Sequence, residues 1–148
     1  MNINQETFPI DWKSTPEKIV EEISSHSEII KIYNGERFMV WRCWSGPRDQ
    51  IPIILFHGGW GSWTHWLRVI PYLMTKRTIF AVDLPGMGSS SDFHQSSDGG
   101  SMSQLISKAI EKLIPGSQQY NLAAFSFGAV IGANVAATHG SKCRNFVA

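Results

Sequence analysis

Ser126 is the residue of this chain that is best placed to do chemistry. It stands in the segment 124–128 (Ala-Phe-Ser-Phe-Gly), between an apolar run typical of a strand and a small-residue segment typical of a helix. A serine held in such a turn is presented to substrate. It becomes a nucleophile when a histidine takes its proton and a carboxylate orients that histidine. The pattern therefore predicts nucleophilic catalysis at Ser126.

Two further loops follow apolar runs of strand length. Segment 57–61 (His-Gly-Gly-Trp-Gly) follows the run 51–56, and segment 83–88 (Asp-Leu-Pro-Gly-Met-Gly) follows the run 78–82. Proteins with open α/β sheets bind their ligands at the carboxyl ends of the parallel strands. We therefore expect both loops to lie beside Ser126 at one end of a sheet.

The elements that would position these loops alternate between strands and helices. The periodicity predicts a short helix starting at the segment 14–17 (Ser-Thr-Pro-Glu) and a hairpin turning at Asn34-Gly35, followed by strands and helices in alternation. The strands are expected at 28–33, 37–44, 51–56, 78–82, 120–125 and 143–148, and the later helices at 63–75, 102–114 and 127–139.

This order predicts an α/β fold: a mostly parallel sheet of about six strands with an N-terminal β-hairpin and helices on both faces. The strand that precedes Ser126 should be interior, and the strand 143–148 should be at an edge. We divide the chain into a leader with a short helix, residues 1–27, and one core domain, residues 28–148.

Composition narrows the class of function. A net charge of +1 with scattered lysines and arginines argues against a nucleic-acid partner. No apolar stretch has the roughly 20 residues of a membrane span, and the start of the chain does not read as a signal peptide. Cys43 and Cys143, far apart and without a motif, are expected to be free thiols in a reducing compartment. We expect a cytoplasmic protein whose partner is a small-molecule substrate.

The three loops, in this order and at this spacing, resemble those of the α/β-hydrolase family. The resemblance covers about residues 28–148 and corresponds to the N-terminal half of the family fold. It implies that Ser126 is the nucleophile and that the backbone N–H groups of Gly59 and Phe127 stabilise the oxyanion. One departure is Ala124, where the family usually has glycine.

The resemblance also assigns roles to other residues of these loops. It implies that His57 orients its own loop rather than acting as the base. We expect Asp83 to bond backbone N–H groups within its turn. Trp60 and Phe125 are candidates for lining an apolar substrate pocket. No pair of histidines has metal-ligand spacing, so we expect neither a metal nor a cofactor.

The expected activity is a serine hydrolase acting on an ester or related activated carbonyl of a small, largely apolar substrate. The sequence ends at Ala148, before the positions where the family has its triad acid and histidine. We therefore interpret it as a fragment that is inactive alone. Two alternatives stay open: a non-catalytic binding protein with the same fold, and a dinucleotide-binding half. The second is disfavoured because Gly59 and Gly61 are not followed by the third glycine of that motif.

Overall fold

A computed structural model describes residues 8–93 and 99–148. Residues 1–7 of the predicted leader, and part of the polar loop before the third helix, lie outside these ranges. The strands are β1 (Glu28–Asn34), β2 (Arg37–Trp44), β3 (Ile53–Phe56), β4 (Ile79–Val82), β5 (Tyr120–Ala124) and β6 (Cys143–Val147). The helices are α1 (Pro16–Ser25), α2 (Ile70–Leu73), α3 (Gly99–Leu113) and α4 (Phe127–His139), with 3₁₀ turns at Trp63–Trp66 and Gly140–Lys142.

The six strands form one sheet in the order β1-β2-β4-β3-β5-β6. β1 pairs with β2 and β2 with β4 in antiparallel fashion, whereas β4, β3, β5 and β6 run parallel to one another. This confirms the predicted fold class, with β5 interior and β6 at the edge. Cys43 on β2 and Cys143 on β6 are separated by three intervening strands, and both are free thiols.

Helices cover both faces of the sheet because the buried strands carry apolar side chains on both sides. On one face, Ile54, Phe56 and Leu122 pack with apolar side chains of α3 and α4. On the other face, Leu55 and Ile79 pack with α1 and with the segment that contains α2. The Trp44 indole donates a hydrogen bond of 2.8 Å to the Ile23 carbonyl, which ties α1 to the second face.

Local sequence explains the first elements. Thr15 caps α1 by accepting a hydrogen bond from the Lys18 N–H, and Pro16 occupies the first helical turn, where it breaks no hydrogen bond. In the hairpin, Asn34 pairs with Arg37, so the two-residue loop is Gly35-Glu36. Gly35 has a φ of 66°, the left-handed conformation that tight hairpin turns require at this position.

The segment 63–75 differs from the single helix that the sequence predicts. The chain makes a 3₁₀ turn at Trp63–Trp66 and then the four-residue helix α2. Pro71 lies in the first turn of α2. In the interior of a helix starting at residue 63 it would lack an N–H donor and clash with the preceding turn. The apolar spacing of this segment was therefore misleading, and the proline decides where the helix begins.

The first turn of α4 packs directly on the backbone at the end of β3. A β-carbon added at Gly128 would lie 2.9 Å from the Phe56 carbonyl oxygen and closer still to that of His57. Glycine is therefore required here for close approach rather than for its φ angle. One turn later, a β-carbon at Gly132 would meet the tip of the Phe146 ring at 2.9 Å, and that ring is partly exposed on an edge strand.

The two glycines of α4 make a matched pair for mutation. We expect Gly128→Ala to lower the free energy of unfolding by about 1–3 kcal/mol, because the new methyl group meets backbone that cannot move without shifting β3. Gly132→Ala should lower it less, because Phe146 can rotate away and alanine favours helix, which leaves a tight contact of 3.2 Å with the Ala124 β-carbon. Urea unfolding followed by circular dichroism measures both. An equal decrease in the free energy of unfolding in the two variants would contradict the close approach of backbone at Gly128.

Candidate functional site

Ser126 lies in the turn between β5 and α4, at the carboxyl end of the sheet. Its backbone has φ 53° and ψ −120°, a conformation that costs a residue with a side chain about 1–3 kcal/mol. The Ser126 side chain makes no capping hydrogen bond to α4, and the residue is exposed. The turn is closed by the Gly128 N–H donating to the Phe125 carbonyl at 3.0 Å. The strand-to-helix turn predicted from the sequence is therefore present, with a strained and accessible serine at its tip.

The loop 57–61 lies directly against this turn. A β-carbon added at Gly58 would be 2.9 Å from the Phe125 ring and 3.3 Å from the Ser126 β-carbon. A β-carbon at Gly59 would be 3.7 Å from that of Phe127. The structure thus brings together Gly59, Ser126 and Phe127, the three residues that the sequence interpretation places in one reaction site.

Some backbone N–H groups of this region make hydrogen bonds that hold the loop together, and others do not. The Gly58 N–H bonds the His65 ring and the Gly61 N–H donates to the Gly58 carbonyl, which closes the loop. Phe127 opens α4, where N–H groups have no carbonyl one turn earlier to bond. The N–H groups of Gly59 and Phe127 therefore lie beside Ser126 without taking part in the bonds that close the loop and the turn.

His57 is fully buried and both of its ring nitrogens are engaged. Nε2 accepts a hydrogen bond of 2.9 Å from the Leu84 N–H, and Nδ1 is 2.7 Å from the Gly58 carbonyl, to which it donates. Burial lowers the pKa of His57, with smaller opposing contributions from the Gly58 carbonyl and Asp83. A neutral imidazole bonded on both sides ties the ends of β3 and β4 together and has no free lone pair to accept a proton from Ser126.

Asp83 also acts on backbone rather than on substrate. Its two carboxylate oxygens accept hydrogen bonds from the Trp63 N–H at 2.8 Å and the Ser89 N–H at 3.0 Å, and the residue is buried. Gly88, with φ 54°, passes so close to this carboxylate that a β-carbon there would overlap it. The carboxylate therefore fixes two loops at the end of β4.

An apolar depression of about 600 Å³ opens next to Gly59 and Phe127. Its walls come from the loop 57–61, the segment 85–93, α3 and the start of α4: Gly59, Trp60, Pro85, Gly86, Met87, Asp92, Phe93, Met102 and Phe127. Trp60 is 99% exposed and, like Ser126, has a positive φ, of 58°. The sequence interpretation anticipates Trp60 here but misses Met87, Phe93 and Met102, because their contribution depends on how distant segments meet.

Phe125 lies elsewhere. It is 57% exposed, but its ring does not line the depression. Instead the ring stands edge-on to the His65 ring, with centroids 5.8 Å apart, and covers Gly58. The structure thus places Phe125 beside the loop 57–61 rather than in the depression.

Other kinds of site find no support in the described ranges. Residues 8–93 and 99–148 contain no group of three or more His, Cys, Asp or Glu side chains arranged to hold a metal ion. The loop 57–61 leads into a four-residue 3₁₀ turn, not into the long helix whose N-terminus would bind a dinucleotide pyrophosphate. None of the helices within those ranges combines the length and hydropathy that a bilayer crossing requires.

Two curated proteins share sequence with this chain. The dihydrolipoyllysine-residue acetyltransferase component of the acetoin cleaving system of Pseudomonas putida is 33% identical over 91 residues, covering 62% of this chain and 24% of that protein. A soluble epoxide hydrolase of Corynebacterium sp. (strain C12) is 39% identical over 69 residues, covering 47% of this chain and 22% of that protein. The matched segments span about a quarter of the length of these relatives.

Solved structures share the fold. A putative lipase from Acinetobacter baumannii AYE superposes with a TM-score of 0.76 at 20% identity, covering 93% of this chain and 46% of that one. A thioesterase domain from the curacin biosynthetic pathway gives a TM-score of 0.71 at 21% identity, covering 81% of this chain and 44% of that one. The model of the alpha/beta hydrolase fold matches residues 51–148, which contain all three loops of the site. From this match over more than half its length, we conclude that the chain belongs to the alpha/beta hydrolase fold family.

Proposed function

We propose that this chain carries the nucleophile and oxyanion half of a serine hydrolase for an ester or related activated carbonyl. The observation that carries the proposal is the strained, exposed Ser126 beside the available N–H groups of Gly59 and Phe127. Two backbone donors next to a nucleophile are what a tetrahedral intermediate needs, and one such donor contributes about 3–4 kcal/mol to transition-state stabilisation.

The proposed reaction has two steps. The Ser126 Oγ forms a bond to the carbonyl carbon while a histidine takes its proton, and the oxyanion lies between the two N–H groups. The leaving group departs with that proton, and water then cleaves the acyl-serine ester. His57 is bonded at both ring nitrogens and the Nδ1 lone pair of His65 accepts from the Gly58 N–H, so we place the histidine base and its carboxylate in residues that follow Ala148 in the encoded protein.

The choice of a carbonyl substrate follows from the chemistry of serine. Attack of a serine oxygen on a carbonyl gives an ester, which water cleaves. Attack of the same oxygen on an epoxide carbon gives an ether, which water does not readily cleave, so turnover would stop. The serine at position 126 therefore favours an ester, thioester or similar acyl compound over an epoxide.

The apolar depression beside Gly59 and Phe127 indicates which part of the substrate is recognised. Met87, Phe93 and Met102 give it apolar walls, and among the described residues that line it only Asp92 is charged. A small, largely apolar group would bury there, with each buried methylene contributing about 0.8 kcal/mol. We propose that this depression receives the apolar part of the substrate.

A cytoplasmic location is part of the same proposal. Both cysteines are free, and burial together with the nearby Glu28 carboxylate raises the pKa of Cys43 to about 11, so that thiol stays protonated at neutral pH. Free thiols of this kind suit a reducing compartment.

A fluorophosphonate probe tests the nucleophile. We expect a chain extended to the natural C-terminus of the encoded protein to be labelled at Ser126 and the 148-residue chain to be labelled at least 10⁴-fold more slowly, because it lacks the base. Mass spectrometry of the labelled peptide identifies the residue. Ser126→Ala should abolish labelling. The control variant is Ser141→Ala, which changes an exposed serine at the opposite end of the sheet and should leave labelling intact.

Two other outcomes of the same experiment would overturn parts of the proposal. Strong labelling of the 148-residue chain would mean that a histidine within it acts as the base. An extended chain that is folded but unlabelled would favour a non-catalytic binding protein.

Trp60 offers a second test, because its strain and its contact with substrate can be separated. Trp60→Ala and Trp60→Gly both remove the indole, so both should raise KM for apolar esters in the active, extended chain. Trp60→Gly alone relieves the positive φ and should be the more stable of the two by about 1 kcal/mol. Thermal unfolding and ester hydrolysis measure the two effects. An unchanged KM in both variants would exclude Trp60 from the substrate pocket.

A further inference from the structure

The His65 ring occupies the space between the loop 57–61 and the turn that carries Ser126. Its Nδ1 accepts a hydrogen bond of 3.1 Å from the Gly58 N–H. We propose that His65 is a positioning residue that fixes the Gly59 N–H for the oxyanion. The inference rests on the proposed function, because it assigns His65 a purpose only if Gly59 is an oxyanion donor.

The peptide unit between Gly58 and Gly59 explains how this works. The unit is planar and trans, so the Gly59 N–H points opposite to the Gly58 carbonyl. That carbonyl accepts hydrogen bonds from His57 Nδ1 and from the Gly61 N–H. His65 bonds the N–H on the other side of the same glycine. Gly58 itself has wide rotational freedom, so hydrogen bonds on both sides of its α-carbon are needed to set the direction of the next N–H.

Packing holds the His65 ring in place on several sides. A β-carbon added at Gly61 would lie within 2.8 Å of three ring atoms, so that glycine leaves the room that the ring fills. The ring stands edge-on to His57, at a centroid distance of 5.9 Å, and edge-on to Phe125, at 5.8 Å. Since Phe125 immediately precedes Ser126, His65 touches both the donor loop and the nucleophile turn.

The hydrogen bond also specifies the chemical form of His65. An Nδ1 that accepts from a backbone N–H carries no proton, so the neutral ring has its proton on Nε2. A phenyl ring of similar shape would keep the packing and lose the acceptor. An asparagine oxygen can reach about the place of Nδ1 and would keep the acceptor. His65→Phe and His65→Asn therefore separate hydrogen bonding from packing.

NMR on the isotope-labelled protein tests the geometry of these hydrogen bonds without any need for enzymatic activity. We expect a scalar coupling across the hydrogen bond between the Gly58 nitrogen and His65 Nδ1, and ring nitrogen shifts of the Nε2–H form. The residual dipolar coupling of the Gly59 N–H reports its direction. It should change in His65→Phe and be retained in His65→Asn. A missing Gly58–His65 coupling, or an unchanged Gly59 direction in His65→Phe, would overturn the inference.

Kinetics on the active, extended chain test the consequence. His65→Phe should lower kcat for an ester substrate by about 10- to 100-fold with little change in KM, because the misplaced donor acts in the transition state. His65→Asn should recover most of that loss. Equal kcat in His65→Phe and the unchanged protein would contradict the role. If the extended chain is not acylated at Ser126, the proposed function fails, and the NMR result alone decides whether His65 directs the Gly59 N–H.

Discussion

The direct packing of the α4 N-terminus on the end of β3 is the constraint on which the rest of the site depends. It needs a residue without a side chain at Gly128, which faces the carbonyl oxygens of Phe56 and His57. Because the helix starts so close to the sheet, the chain must turn sharply at Ser126, and its φ of 53° is the result. The same packing brings Phe127 against the loop that contains Gly59. Strain at the serine and proximity of the two donors thus have one cause.

Two buried polar side chains hold the neighbouring loops against this packing. His57 joins β3 to β4 through the Leu84 N–H, and Asp83 joins the end of β4 to the Trp63 and Ser89 N–H groups. A neutral ring suits the first task, since burial disfavours its charged form. Hydrolases use both residue types in triads, yet here the side chains of His57 and Asp83 make their hydrogen bonds to backbone groups. Residue type alone therefore does not identify a catalytic group.

Much of the fold could be predicted from local sequence. The runs 51–56, 78–82 and 120–125 predict buried parallel strands because strands covered on both faces lose the usual alternation, and the structure has strands there that end at Phe56, Val82 and Ala124. The hairpin and the placement of Ser126 at a strand-to-helix turn were likewise predictable, since each follows from a few adjacent residues. The segment 63–75 was not, because the position of Pro71 outweighs the apolar spacing around it.

What the sequence did not reveal depends on contacts between distant segments. The depression is walled by Met87, Phe93 and Met102, and only the folded chain brings them to Gly59. The bond from Gly58 joins it to His65, seven residues later in the 3₁₀ turn Trp63–Trp66, where the sequence predicts a long helix. The orientation of Phe125, away from the depression, follows from that same turn. Such features depend on tertiary packing and have no signature in residue spacing.

The strand order also has a consequence for how the chain folds as it is made. β3 lies between β4 and β5, and both of its neighbours come later in the sequence. The apolar strand Ile53–Phe56 is therefore synthesised before either partner, and it keeps one unpaired side until residues 120–124 have been synthesised. Loop closure over that distance is slow compared with hairpin formation, and an exposed apolar edge invites association in the meantime. Among the six strands described, Ile53–Phe56 is thus the one whose second neighbour lies furthest ahead in the sequence.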